Sequence, residues 1–178
     1  MGHKHTKEQL LDGALAVAFD DGLSQVSFGR VARRLGINDR TIVYYFPTKH
    51  DLIAEILTSM GAQLQGTLAL AFAERAPDHR ALIAAAWPVL ASPEADPVFA
   101  LFFEANGLAA AGREPFASIV PDLVEAWVAW TSELVDGSPE QRRAEAGAAI
   151  AVLDGLLLLR QLAGPAVAES AATRLIDR

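Results

Sequence analysis

The 178-residue chain is long enough for one sizeable core, or for a small module joined to a larger one. Hydrophobic residues make up 52% of it, which excludes disorder as its general state, and the absence of cysteine excludes disulfides and thiolate metal sites. Its net charge of −7 argues against nonspecific binding of polyanions by the chain as a whole.

The first predicted element is a helix capped by Thr6 and running to about Asp21, where Gly22 ends it. Ser27 caps a second, short helix with the sequence FGRVARRL. Gly36 then permits a tight turn, which predicts a close connection to the next helix.

Asn38 caps the third helix, DRTIVYYF, and Pro47 stops it. Thr48 opens a fourth helix, with Asp51 placed to complete a capping box, and its apolar pattern reaches about Arg75.

Five more helices are predicted in the remainder of the chain, without any strand pattern or repeat. They are a helix through Trp87 broken by Pro88, a helix over 98–111, one entered past Pro115 and Pro121 that runs through Leu134, one from about Pro139 to Leu162 capped by Ser138, and a short one after Gly164-Pro165. The sequence therefore predicts an all-α protein of roughly nine helices.

The charges are unevenly distributed. Residues 1–55 contain equal numbers of basic and acidic residues, so the whole net charge of −7 falls on residues 56–178. Within the neutral part, cations gather around the second and third helices against a single acid, Asp39. The cations are Arg30, Arg33, Arg34, Arg40 and Lys49. Such a local basic patch remains free to bind nucleic acid, although a cluster of this kind is also typical of a solvated face.

Two short helices joined by a glycine turn are typical of a helix-turn-helix unit, whose second helix enters the major groove of DNA. At about 100° per residue, the third helix turns Ile42, Tyr45 and Phe46 to one side. Arg40, Val43 and Tyr44 fall on the other side, flanked by Thr41. We expect the first set to pack on the preceding helices and the second set to face DNA.

The predicted contacts follow from side-chain chemistry. Arg40 suits a bidentate contact with guanine, and Val43 suits a thymine methyl. Thr41 and Tyr44 can reach phosphate or base edges, and helix starts such as those at Ser27 and Lys49 favour a phosphate. The predicted DNA-binding residues are Ser27, Arg30, Asn38, Arg40, Thr41, Val43, Tyr44, Tyr45 and Lys49.

Residues 6–57 resemble the DNA-binding domain of the TetR family of bacterial transcriptional regulators. The matching segments are LLDGALAVAFDDG, SFGRVARRLGI and TIVYYFPTKHDL, and the spacing from Thr41 to Phe46, followed by Lys49, is the most specific feature. The sequence departs from the family at Val43, where a tyrosine is common, and at the pair Asp39-Arg40. Asp39 would repel phosphate unless it serves the helix N-terminus or accepts from a cytosine amino group. The operator sequence therefore cannot be taken from relatives.

The resemblance implies a helix-turn-helix DNA-binding domain at 1–50, with its motif at about 27–46, and a helical ligand-binding and dimerisation domain at 51–178. A single recognition helix reads few base pairs, so we expect a homodimer on a palindromic operator in double-stranded DNA. The predicted interface lies on the eighth helix, where small residues allow close approach of a second copy. Its residues are Ala146, Ile150, Leu153 and Leu157, which could instead be intramolecular core.

The middle helices contain large apolar side chains that could line a cavity for an unidentified small-molecule effector, apolar or amphipathic, or could simply fill the core. They are Met60, Leu64, Trp87, Phe99, Phe102, Phe103, Trp127 and Trp130, with Gln63, Glu104 and Asn106 as polar groups nearby. Asp154, inside an apolar run, could orient a ligand or bond across the interface. By family analogy the protein is a repressor, released when the effector turns the fourth helix and changes the spacing of the recognition helices.

Two alternatives remain. An all-helical small-molecule-binding protein or enzyme has little support, because the four histidines form no i, i+4 pair and no nucleophile–base spacing or phosphate loop occurs. A scaffold whose helix-turn-helix contacts protein would lack a steep salt dependence of DNA binding. We expect no cofactor and no metal site. The N-terminus lacks a signal-peptide pattern, and the apolar run near residues 147–159 is interrupted by Asp154 and shorter than a membrane span, so a cytoplasmic location is predicted.

Overall fold

The structure is a computed structural model that describes residues 5–72 and 74–176. Residues 1–4, 73, 177 and 178 lie outside the described ranges. Nine α-helices and one short 3-10 helix account for the regular structure of the described residues, which confirms the all-α prediction. The helices are α1 (Lys7–Asp21), α2 (Phe28–Leu35), α3 (Asp39–Tyr45), α4 (Lys49–Ala69), α5 (His79–Leu90), α6 (Asp96–Ala110), α7 (Phe116–Ser132), α8 (Pro139–Ala163) and α9 (Pro165–Ile176), and the 3-10 helix is Leu23–Gln25.

The predicted N-caps are present. Thr6 and Ser138 each form a full capping box, with Gln9 and Gln141 respectively, and Ser27 and Asn38 accept from backbone N–H groups of α2 and α3. These caps satisfy donors that the first turn of a helix leaves free. Because each cap joins residues two or three positions apart, the sequence is sufficient to predict it.

The largest differences from the predicted helix boundaries occur at three places. α4 ends at Ala69 rather than near Arg75, and Leu70 beyond it is 88% exposed, so the apolar pattern loses its buried partners there. Pro88 lies inside α5, and Pro121 lies inside α7. A proline near a helix end removes one N–H donor, and the burial of Ala86, Trp87 and Leu90 holds α5 together through Pro88.

The chain divides into two compact units. The first contains residues 1–61 and 101–121, and the second contains residues 62–100 and 122–178. The helix-turn-helix contributes to the core of the first unit. Five large residues of this core are fully buried: Leu10, Ile42, Phe46, Leu52 and Ile56. The segment 101–121 thus belongs with the N-terminal helices by this division, whereas the sequence prediction places one boundary at residue 50.

The core of the second unit lies where α8 packs against α5 and α9. Trp87 is buried there, and its indole Nε1 donates to Glu169 Oε2 at 2.8 Å. An isolated parallel bridge between Ala76 and Val135 also belongs to this unit.

α8 is the one helix of the described residues that is long and apolar enough to cross a membrane, by length and composition alone, with a mean hydropathy of 1.6 over its best window. The apolar run near residues 147–159, on which the sequence prediction rested, is shorter than a membrane span, whereas the whole helix has 25 residues. A single helix of this kind is weak evidence for a membrane protein, because helices that pack in soluble proteins meet the same test.

Candidate nucleic-acid interface

A left-handed glycine makes the turn between α2 and α3. Gly36 has φ 66° and ψ 32°, a backbone conformation that residues other than glycine rarely adopt. The N–H of Ile37 donates to the carbonyl of Ala32 at 3.0 Å, which closes the end of α2. Asn38 then caps α3, so the second helix follows the first after a turn of three residues.

The two sides of α3 have opposite environments. Ile42 and Phe46 have no solvent exposure, whereas Arg40, Val43 and Tyr44 are exposed and Thr41 is half-buried. Tyr44 is 79% exposed, although tyrosine is on average a partly buried residue. The burial therefore agrees with the division into a packing side and an outward side predicted from helical periodicity.

Tyr45 is half-buried, and its hydroxyl donates to the carbonyl of His5 at 3.2 Å. Its ring meets that of Tyr44 edge to face, with the centroids 5.0 Å apart. Tyr45 is thus engaged by its own chain, although it is among the residues predicted to contact DNA.

Two predicted DNA contacts act as helix caps. The Ser27 hydroxyl oxygen accepts from the N–H of Arg30 at 3.3 Å, and Asn38 Oδ1 accepts from the N–H of Arg40 at 2.9 Å. The Ser27 hydroxyl retains its own proton for donation, and so does the Asn38 amide. Both residues could therefore stabilise their helices and donate to a phosphate at the same time.

Two of the five clustered cations form ion pairs with the end of α1. Arg30 Nη1 lies 2.9 Å from Asp21 Oδ2, and Arg34 Nη1 lies 2.5 Å from Asp20 Oδ2. All four side chains are more than two-fifths exposed, so these pairs contribute little to stability and can exchange partners. Within residues 5–72 and 74–176, the other three cations, Arg33, Arg40 and Lys49, are exposed and form no ion pair.

The start of α4 is fixed by a reciprocal cap. The Thr48 N–H donates to Asp51 Oδ2 at 2.9 Å, and the Asp51 N–H donates to the Thr48 hydroxyl at 3.1 Å. Hydrogen bonds from the Thr48 hydroxyl and backbone lower the pKa of Asp51. Lys49, the first residue of the helix, is therefore presented from a well-defined helix start.

Several contacts at this site were not predicted from the sequence. Lys7 pairs with Glu55 and lies 5.6 Å from the centroid of the Phe46 ring, which links α1 to α4 and to the residue that follows α3. Asp20 and Asp21 had no predicted role, and Glu104, predicted near an effector cavity, instead contacts the backbone of residues 23 and 24. These contacts join residues distant in sequence, so no local pattern reveals them.

The predicted effector residues belong to both units. Met60, Phe102 and Phe103 lie in the first, with the two phenylalanine rings edge to face at 5.3 Å. Leu64, Trp87, Phe99, Trp127 and Trp130 lie in the second, where the rings of Trp127 and Trp130 are 5.4 Å apart and half-buried. A shallow groove on α9 is lined by none of these residues. Its lining residues are Ala166, Val167, Ser170, Ala171 and Arg174.

The predicted interface residues of α8 mostly face the core of their own unit. Ala146, Leu153 and Leu157 are buried, and Ile150 is half-buried. The opposite side of α8 leaves Ala151, Gly155, Leu158 and Leu162 exposed. α8 itself carries apolar residues on more than one side, so helical periodicity alone does not distinguish its buried side from its exposed side.

Residues 10–56 match the family model of the bacterial regulatory proteins of the tetR family. The match spans most of α1, the α2–α3 pair with its outward side chains and the start of α4. The N-terminal segment of the chain is therefore similar to the DNA-binding part of the tetR family.

Solved structures show the same fold over nearly the whole chain. A transcriptional regulator from Rhodococcus sp. Rha1 is 24% identical with a TM-score of 0.74, covering 97% of this chain and 95% of its own. A TetR transcriptional regulator from Legionella pneumophila is 21% identical with a TM-score of 0.64, covering 99% and 98%. The multidrug-binding protein EbrR, solved with imidazole, is 23% identical with a TM-score of 0.69, covering 99% and 94%. No curated protein matches the sequence.

Proposed function

We propose that this protein is a transcriptional regulator of the TetR type, a repressor that binds a palindromic operator as a homodimer and is released by a small apolar or amphipathic effector. The observation that carries the DNA-binding part is the outward side of α3, where Arg40, Val43 and Tyr44 are exposed opposite the fully buried Ile42 and Phe46. A short helix with a cation, an aliphatic group and a phenol on its free side has the chemistry for reading a major groove.

Arg40 is the proposed base-reading residue. It is exposed at the start of α3, and its guanidinium is unpaired within the described part of the chain. Arginine makes bidentate contacts with guanine O6 and N7. Ser27 and Lys49, at the starts of α2 and α4, are proposed to hold the flanking phosphates.

We propose that the dimer forms through the outward side of α8 together with α9. Leu158 is 40% exposed and Leu162 is 79% exposed, with Gly155 and Ala151 between and beside them. The α9 groove and Val167, which is 48% exposed, extend the same apolar character. Small and apolar side chains on a free helix face favour close packing against the same helix of a second copy.

The effector domain is proposed to extend from residue 51 to residue 178, with the DNA-binding domain at 1–50. EbrR, a structural relative, has been solved with imidazole and with proflavin. Here the entire net charge of −7 falls on residues 56–178, which disfavours an anionic effector. The half-buried Trp127 and Trp130 rings are the proposed aromatic contacts of a neutral or cationic molecule.

Release is proposed to work by a population shift, which requires the effector to bind one conformation more tightly than the other. α4 carries Lys49 at one end and the predicted effector residues Met60 and Leu64 further along. A turn of this helix would change the separation of the recognition helices away from the spacing of about 34–36 Å that two half-sites demand. Such a regulator acts in the cytoplasm.

Selection of bound sequences from random duplex DNA tests the proposal. We expect enrichment of two inverted half-sites, steep weakening of binding with salt, and loss of preference at one base position in Arg40→Ala. Arg33→Ala is the matched control, because it removes an exposed cation from α2 and should weaken binding without changing the preferred sequence. A chain that enriches no sequence, or binds with a flat salt dependence, would favour the scaffold alternative.

A further inference from the structure

Glu104, on α6, makes two hydrogen bonds to the loop between α1 and α2. Its Oε2 accepts from the N–H of Leu23 at 2.8 Å, and its Oε1 accepts from the N–H of Ser24 at 2.9 Å. The three residues belong to the first compact unit, although about eighty positions of sequence separate them. A carboxylate that accepts from two consecutive amides makes strong, charge-assisted bonds and fixes the backbone between them.

Gly22 allows this approach. Its φ is +92°, and a Cβ at this position would lie 3.1 Å and 3.3 Å from the two carboxylate oxygens of Glu104. Its N–H donates to the carbonyl of Ala18 at 2.8 Å and so ends α1. The chain therefore turns away from α1 at a residue whose lack of a side chain leaves room for the carboxylate.

The loop held by Glu104 sets the start of the helix-turn-helix. Leu23 and Val26 have no solvent exposure, and Ser27, the next residue, is the N-cap of α2. The 3-10 helix from Leu23 to Gln25 is short, and its first amides have no helical carbonyl to bond. Without the Glu104 carboxylate, the exposed Ser24 amide would bond only water, and the loop would be free to shift.

We propose that Glu104 is a positioning residue for DNA recognition: by fixing the backbone at Leu23 and Ser24 it sets the orientation of α2, and through the Gly36 turn that of α3. It is none of the predicted DNA contacts. The inference rests on the proposed function, because it assigns Glu104 a role in that same interface.

Electrostatics and positioning predict opposite effects for the neutral variant. Glu104→Gln removes a negative charge from the first compact unit, which contains the helix-turn-helix, and by charge alone this should tighten binding to a polyanion. It also turns an amide donor toward one of the two N–H groups, which breaks a hydrogen bond. Weakened binding would therefore identify positioning as the dominant effect.

The test uses the highest-affinity duplex selected by the wild-type chain, labelled with fluorescein, and measures its Kd by anisotropy well below the unfolding temperature. We expect Glu104→Gln to raise the Kd at least about fivefold with an unchanged slope against salt, since a bond to a charged group is lost and no phosphate contact is. Hydrogen exchange at the Leu23 and Ser24 amides should accelerate in parallel. Glu140→Gln, the same charge change at an exposed position on α8, should leave both quantities unchanged.

Glu104→Asp keeps the charge and withdraws the carboxylate by one methylene, so it should also raise the Kd, and it decides the matter if the glutamine variant fails to fold. A lower unfolding temperature with an unchanged Kd in both variants would mean that the contact only stabilises the fold, and the inference would be overturned. If the wild-type chain selects no sequence at all, the proposed DNA binding fails first. That outcome is distinct from a wild-type chain that binds and variants that bind equally well.

Discussion

The guanidinium of Arg160 donates to both carboxylate oxygens of Asp96, from Nε to Oδ1 at 2.6 Å and from Nη2 to Oδ2 at 2.9 Å. Arg160 is 8% exposed on α8, and Asp96 is the first residue of α6. The carboxylate raises the pKa of Arg160, and Gln161 Nε2 adds a bond to the Asp96 carbonyl at 2.9 Å. This bidentate pair holds the start of α6 against the end of α8 within the second unit.

Asp96→Asn should destabilise the protein by about 1–3 kcal/mol, because it leaves a buried guanidinium without its countercharge. The lower end allows for solvent screening of Asp96, which is partly exposed. Urea denaturation measures the change as a lower midpoint at constant slope. Asp122→Asn, an exposed aspartate of α7, is the control, and equal midpoints for the two variants would contradict the prediction.

Tyr44 and Tyr45 are neighbours with opposite surroundings, so substitutions at the two should separate DNA contact from folding. Tyr44→Ala should weaken binding to the selected duplex roughly tenfold, since it removes an exposed phenol from the outward side of α3. Tyr45→Phe should leave binding near the wild-type value and cost only the bond to the His5 carbonyl. Anisotropy titrations of both variants provide the measurement, and a larger loss for Tyr45→Phe would reverse the assignment.

Asp21→Asn should tighten DNA binding more than its loss of charge explains. The substitution frees Arg30 from an ion pair 2.9 Å long, which makes another cation available to phosphate. The slope of log Kd against log salt should therefore steepen by about one phosphate contact. Asp12→Asn makes the same charge change at an exposed position of α1, and identical slopes for both variants would show that Arg30 takes no part.

Asp154 should make the stability depend on pH in an unusual direction. Burial raises its pKa to about 6, above the ordinary value of 3.8, so folding favours the protonated form. The resulting penalty is absent below pH 3.8, grows as the pH rises and is complete above about pH 6. Asp154→Asn should therefore raise the free energy of unfolding by on the order of 2 kcal/mol at pH 7.5 and by much less near pH 4. Thermal unfolding of both proteins across this range measures the difference, with Asp122→Asn as the exposed control. A difference independent of pH would show that the pKa of Asp154 is the same in the folded and the unfolded chain.

Leu158→Glu should convert the proposed dimer to a monomer, because it introduces a charge into an apolar contact that excludes water. Sedimentation velocity at micromolar concentration measures the state directly. Leu70→Glu changes another exposed leucine, on the chain beyond α4, and should leave the sedimentation unchanged. If Leu158→Glu and Leu70→Glu have the same oligomeric state, the interface does not lie specifically on the outward side of α8.

The features predicted well from the sequence are local ones. Thr6, Ser27, Asn38 and Ser138 cap helices by contacts within three residues, and the burial of Ile42 and Phe46 against the exposure of Arg40 and Tyr44 follows from helical geometry over a single short helix. In each case, the residues that decide the outcome are neighbours along the chain.

The rest depends on which elements pack together. α8 carries apolar residues on more than one side, so its inner side is evident only from its packing against α5 and α9. Pro88 predicted a helix end, but the buried residues around it hold the helix. The ion pair between Asp21 and Arg30 reduces the free positive charge, and the hydrogen bond from Leu23 to Glu104 fixes a loop. Neither contact follows a spacing that a sequence pattern shows.

The close approach of Gly22 and Glu104 also implies a rule for variation among related chains. With φ at +92° and carboxylate oxygens 3.1 Å and 3.3 Å from where a Cβ would stand, a side chain at position 22 would be strained and would crowd the acid at position 104. Related sequences that carry alanine or a larger residue at the first position should have lost the glutamate at the second, and the two sites should change as a pair.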